Sequence, residues 1–146
     1  MRKSIKNYTT EMSVEKSIME IQAILAAHGA EKIMYDYDQG KPVGVSFLVT
    51  GPHGPMPVKL PARIENVRKV MEDNYGSLGR NRNEYLKNTD KIAWRNIKDW
   101  VDAQMALIEI EMVTMPEVFL PFIVLGEQTV YERFETGQLQ LGPGEK

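Results

Sequence analysis

The chain has 146 residues, of which 42% are hydrophobic, with a net charge of −2 and no cysteine. That is one domain's length with enough apolar material for its own core, which excludes wholesale disorder, disulfides, thiolate nucleophiles and zinc ribbons. No apolar run approaches the roughly 20 residues of a membrane span, and Arg2, Lys3 and Lys6 lack the apolar stretch of a secretory signal behind them, so a soluble cytoplasmic protein is expected.

In chain order, Ser13 is placed to cap a first helix over residues 14–28, because Val14, Ile18, Ile21 and Leu25 recur on one face and Gly29 follows. "KIMYDY", "VGVSFLV" and "MPVKL" then read as three short strands separated by the turns "DQGKP" and "GPHGP". Connections this short make an antiparallel meander. Pro57 suits its edge strand, having no N–H to donate. Pro61 sits where a first helical residue is expected, with Ile64, Val67, Val70 and Met71 at helical spacing behind it. "DNYGSLGRNRN" reads as a polar loop, and a long amphipathic helix follows, capped at Asn88, Thr89 or Asp90 and running to residue 111. "TMPE" is a capping box from Thr114 to Glu117, Pro121 ends or bends the short helix it opens, and "EQTVYERFETG" makes a last short helix closed by Gly137. The expected fold is a single α+β domain over residues 1–146. Its core is a three-stranded antiparallel meander packed against the long helix, with shorter helices around it and flexible ends at 1–12 and 138–146.

The long helix carries the densest signal. Trp94, Ile97, Val101, Met105, Ile108 and Met112 form one stripe, so its tryptophans point at the core, Trp100 less fully than Trp94. Lys91, Arg95, Lys98, Asp99 and Asp102 are expected on the opposite, solvated side. Charge is polarised along the chain: residues 59–98 hold ten bases against five acids, and residues 99–146 two bases against nine acids. Lys87, Lys91, Arg95 and Lys98 crowd the start of the helix, where its dipole favours acids. Together with Arg80 and Arg82 of the preceding "RNR" they are the candidate nucleic-acid-binding residues. Neutralisation of the basic segment by the acidic one across the fold is the competing reading.

Other motifs carry less. Asp36 and Asp38 in "YDYD" share a strand face and are oxygen ligands, but no third ligand accompanies them, so no metal is expected. His28 is explained by its place at a helix end, and the prolines of "GPHGP" remove the donors a phosphate cradle needs. The G-x-x-G of Gly76 to Gly79 has the form of a backbone clamp in KH modules, but a helix–helix connection explains it as well. No nucleophile elbow, phosphate loop or dinucleotide fingerprint is present, so neither an enzyme nor a cofactor is indicated.

"YTTEMSVEKSIMEIQAILAAHGA", "AWRNIKDWVDAQMALIE", "EVFLPFIV" and "TVYERF" together resemble a group of short proteins encoded by phages and integrated mobile elements. The resemblance supplies a host-cell setting and no catalytic residues. It implies an accessory protein that handles nucleic acid, with Tyr35, Tyr37 or Tyr75 available to stack on bases. The alternative is a small inhibitor that binds a host defence protein through its acidic C-terminal face.

Overall fold

In a computed structural model, residues 5–75 and 82–143 are described. Strands β1 (Glu31–Asp38), β2 (Lys41–Gly51) and β3 (Gly54–Pro61) pair antiparallel in chain order, giving the expected α+β meander packed on helices. Gln39 and Gly40, both at positive φ (50° and 78°), make the two-residue turn whose twist matches that of the strands it joins. Along β2, Val45, Phe47 and Val49 are buried; opposite them on β3 stand Leu60, Val58 and Met56. The residues between them, Ser46, Leu48 and Thr50, lie on the other face, as the two-residue period of a strand requires.

Helix α1 (Val14–Ala27) begins where the Ser13 hydroxyl accepts from the Lys16 amide at 3.1 Å, and it buries Ile21 and Leu25. Pro61, expected to open the next helix, instead closes β3 opposite Gly44, and the ladder continues one residue further as the Ala62 amide donates to the Val43 carbonyl at 2.8 Å. Proline's fixed φ suits an edge strand as well as a first helical turn. The chain then turns at Arg63, whose φ is 48°, and helix α2 runs over Ile64–Tyr75.

A short helix, α3 (Arg82–Leu86), occupies part of the stretch expected to be loop. Leu86 anchors it, meeting Met71 of α2 and Ile92 of the long helix α4 (Thr89–Glu109) in a second, smaller core. On the main core side, Trp94 of α4 is fully buried, its ring edge-on to Tyr35 at 5.8 Å and its indole N–H donating to the Pro42 carbonyl at 3.2 Å. Met112, expected to extend the stripe, is exposed because the helix stops at Glu109 and Glu111 turns the chain with φ 60°.

Thr114 and Glu117 form the capping box that opens α5 (Met115–Phe119), and a 3₁₀ turn, Leu120–Phe122, follows at Pro121. A hairpin of β4 (Val124–Leu125) and β5 (Gln128–Thr129) was not legible in the sequence. A second capping box, Thr129 with Glu132, opens α6 (Val130–Glu135). This C-terminal run is part of the core: Phe119 packs edge-on against Phe47 at 5.2 Å, and Ile123 bridges Val58 on β3. At the other end, within the stretch expected to be flexible, the Asn7 amide donates to Asn96 at 2.8 Å and Asp99 at 2.9 Å, tying residues 5–9 to α4.

Candidate functional site

Of the six bases expected as a phosphate patch, five lie among the described residues, and four of those have a carboxylate within ion-pair distance. Arg80 and the G-x-x-G loop lie outside those residues. Arg82 is bound to Glu72 of α2 at 2.7 Å, and Lys87 to Glu84 one turn earlier. Arg95, expected on a solvated face, is only 9% exposed and pairs with Glu20 of α1. Lys98 is flanked by Asp99 at 3.8 Å and Asp102 at 3.7 Å. Lys91, half-buried on the same face, makes no ion pair among the described residues. For Arg95 the reason is α1, which packs against α4 and supplies Glu20. The stacking candidates fare similarly. Tyr35 is in the core, its hydroxyl donating to the Ile18 carbonyl at 2.8 Å and its pKa pushed up to about 12 by burial, and Tyr75 lies against Tyr85. Only Tyr37 of the three stands clear of the core.

Among the described residues, no group of three or more His, Asp or Glu side chains is placed to hold a metal ion. Asp36 accepts a long hydrogen bond from Ser46 at 3.4 Å, and a register irregularity between Asp36 and Tyr37 breaks the simple alternation assumed for the pair. No helix among them is long and apolar enough to cross a membrane.

What the fold does build is a groove of about 500 Å³ on the side of α4 that α1 leaves uncovered. Its floor is Leu60 and Ala62 from the end of β3. One wall is Ala93, Ile97 and Trp100 of α4, and the other is Pro121, Phe122 and Tyr131 of the C-terminal run. Val67 and Asn66 of α2 close one end. The walls are held by aromatic packing: the Trp100 ring stands edge-on to Phe119 at 5.9 Å and to Phe122 at 6.0 Å, yet the residue remains 37% exposed. A third of a tryptophan left in water, in a trough walled mostly by apolar side chains with Asn66 and Asn96 among them, is the sort of surface that proteins keep for a ligand.

Among the described residues, Arg63 is the one charged residue in the lining of the groove. It holds the position before α2, where a short side chain with an oxygen is the usual cap, and a left-handed backbone that costs an ordinary residue of order 1–3 kcal/mol. It is exposed and makes no ion pair among the described residues. On the far side of Tyr131 a second, polar depression collects Lys59, Glu132 and Glu135, also with Arg63 at its edge. The Glu132 carboxyl is held below the usual range, first by the hydrogen bond from the Thr129 amide and then by the Thr129 hydroxyl, with Lys59 and Arg63 adding their charge.

Compared with protein-family models, with curated proteins and with solved structures, the chain matches none.

The groove combines residues whose importance was not visible one at a time. Trp100 was legible as the less buried of the two tryptophans. Phe122 and Tyr131 were not: the 3₁₀ turn brings Phe122 to Trp100, and Tyr131 reaches the groove only after the unforeseen β4–β5 hairpin. For Arg63 a signal existed: a long base immediately after "LPA", where a helix was about to start without a capping residue.

At the ends of α1 and α4, His28 bridges the two helices. Its Nδ1 donates to the Ile24 carbonyl and its Nε2 to Glu109, both at 2.7 Å. Two acceptors for two ring nitrogens select the doubly protonated imidazolium. The His28 pKa is accordingly raised, foremost by the Ile24 carbonyl, against an opposing effect of burial and with help from Glu109 and Asp102.

Proposed function

We propose that this protein is a non-enzymatic binding module that captures an apolar segment of a partner protein in the groove between α4, the β3–α2 junction and the C-terminal run. The observation that carries this reading is the groove itself, about 500 Å³ of apolar wall with Trp100 part-exposed within it. Interfaces take their energy from a few aromatic anchors in such troughs. The nucleic-acid alternative loses its support where its bases are spent: a side chain already bound to a carboxylate must give up that partner before it releases a counterion from a phosphate. Acids within reach of these bases, Glu20 of α1, Glu72 of α2, and Asp99 and Asp102 of α4 itself, offset part of the charge run. On the resemblance to phage and mobile-element proteins, the partner is a host protein such as a component of a defence system.

Selection from a random peptide display library, followed by anisotropy titration of the recovered peptides, tests the proposal. Recovered sequences should carry large apolar anchors, and Trp100→Ala should weaken their binding by about tenfold or more while the protein stays folded. Peptides that bind Trp100→Ala as well as the parent chain would place the site elsewhere. Should no peptide emerge, while labelled oligonucleotides bind with a steep salt dependence that Lys91→Ala reduces, the nucleic-acid reading would replace this one.

A further inference from the structure

Resting on the partner-capture reading, we infer that the segment seated in the groove is an acidic one, carrying a carboxylate beside its apolar anchors that pairs with Arg63. Among the described residues no aspartate or glutamate lines the groove, and Arg63 is its one charged residue. Of the described arginines, Arg68, Arg82 and Arg95 each have a carboxylate within ion-pair distance and Arg133 donates to the Leu125 carbonyl at 2.7 Å, whereas Arg63 has neither among the described residues. The nearby Glu132 is already committed, accepting from the Thr129 amide at 2.9 Å to cap α6.

The position of Arg63 is also fixed from both sides. The Ala62 amide is bound to Val43 at 2.8 Å and the Arg63 carbonyl accepts from Asn66 at 3.0 Å, so the side chain springs from an anchored point with φ 48°. Glycine takes that backbone conformation without strain and would serve a turn better. Arginine there is accounted for by its planar fork, which meets a carboxylate through two parallel hydrogen bonds. The occupant is a peptide and not a free small acid because the trough is open: Trp100 and Tyr131 both face solvent, whereas a small-molecule site encloses most of its ligand.

The test uses labelled peptides that share one leucine- and phenylalanine-containing core and differ only in flanking glutamate, glutamine or lysine. They are titrated by anisotropy against the full chain and against Arg63→Gln. The glutamate peptides should bind about threefold tighter than the glutamine peptides, the size of a partly exposed ion pair, and the lysine peptides weakest. Arg63→Gln should bring the three series together without lowering the melting temperature. Equal binding of the three series to the parent chain overturns the assignment, and so does a charge preference that survives in Arg63→Gln. Displacement of the glutamate peptides by phenylacetate at the peptides' own affinity also overturns it, in favour of a small acid. If no peptide of any charge binds, the capture reading itself fails and this inference with it.

Discussion

Helix α4 has two flanks that reverse the usual rule. The flank with Lys91, Arg95 and Lys98 is charged and at least half-buried, with α1 packed against α4 and the pairs Glu20–Arg95 and Glu109–His28 joining the two helices. The flank with Ala93, Ile97 and Trp100 is apolar and open, forming one wall of the groove. A helical wheel assigns the first to water and the second to the interior, since it knows the helix but not its neighbours. Here a second helix supplies Glu20 to Arg95 as a cross-link, while part of the apolar strip around Trp100 stays exposed. On the proposed reading, the partner-binding surface lies on the flank where burial would have been expected.

The largest expected effect falls on the core between these flanks. Trp94→Ala should destabilise the protein by about 3–5 kcal/mol, measured by urea unfolding, because it empties the space against Tyr35 and removes the hydrogen bond to Pro42. A variant that unfolds at the same urea concentration as the parent would remove the basis for distinguishing the flanks at all.

Next in size is the covered flank. Arg95→Ala should cost about 2–3 kcal/mol, below the range for a fully buried pair because Glu20 keeps 33% of its side chain in water. Changing Arg95 and Glu20 together to methionine should recover most of that loss, since no uncompensated charge then remains. A near-zero effect of Arg95→Ala would return this flank to the surface and reopen the phosphate-patch reading.

Smallest, and visible only as a pH dependence, is the His28 bridge. Its folded pKa lies above the ordinary 6.5, with Ile24, Glu109 and Asp102 raising it. The bridge therefore contributes its full stabilisation below about pH 6.5 and loses it as pH rises through the folded value. The melting-temperature gap between the parent and His28→Gln should be widest near pH 5.5 and should close above neutrality. A gap of constant width would show that the imidazolium is not the bridging form.

Much of the fold was legible because local chemistry decides it. Ser13 and the Thr114–Glu117 box fixed helix starts, and "DQGK" fixed a hairpin whose backbone needs two positive φ values. What failed did so where a residue serves two conformations equally: Pro61 is as much at home ending an edge strand as beginning a helix. The site was less legible still. Arg95 and Lys98 have the same wheel position whether α1 covers them or not, and the groove depends on Phe122 and Tyr131 arriving from far along the chain. Side-chain type announces chemistry, but only tertiary placement says whether that chemistry is already spent.

The pairing of α1 with α4 has a consequence for how the chain must fold. Arg95 and Glu20 are 75 residues apart in sequence, and His28 and Glu109 81 apart. Contacts of that separation form only after a large loop has closed, so folding should be slower than the helix content suggests. During synthesis the delay is longer. Residues 28–88 separate the end of α1 from the start of α4, which at about 5–20 residues per second is on the order of 3–12 seconds. For that time Ile21 and Leu25 have no α4 to pack on, and α1 waits at the ribosome as an amphipathic helix that a chaperone can hold.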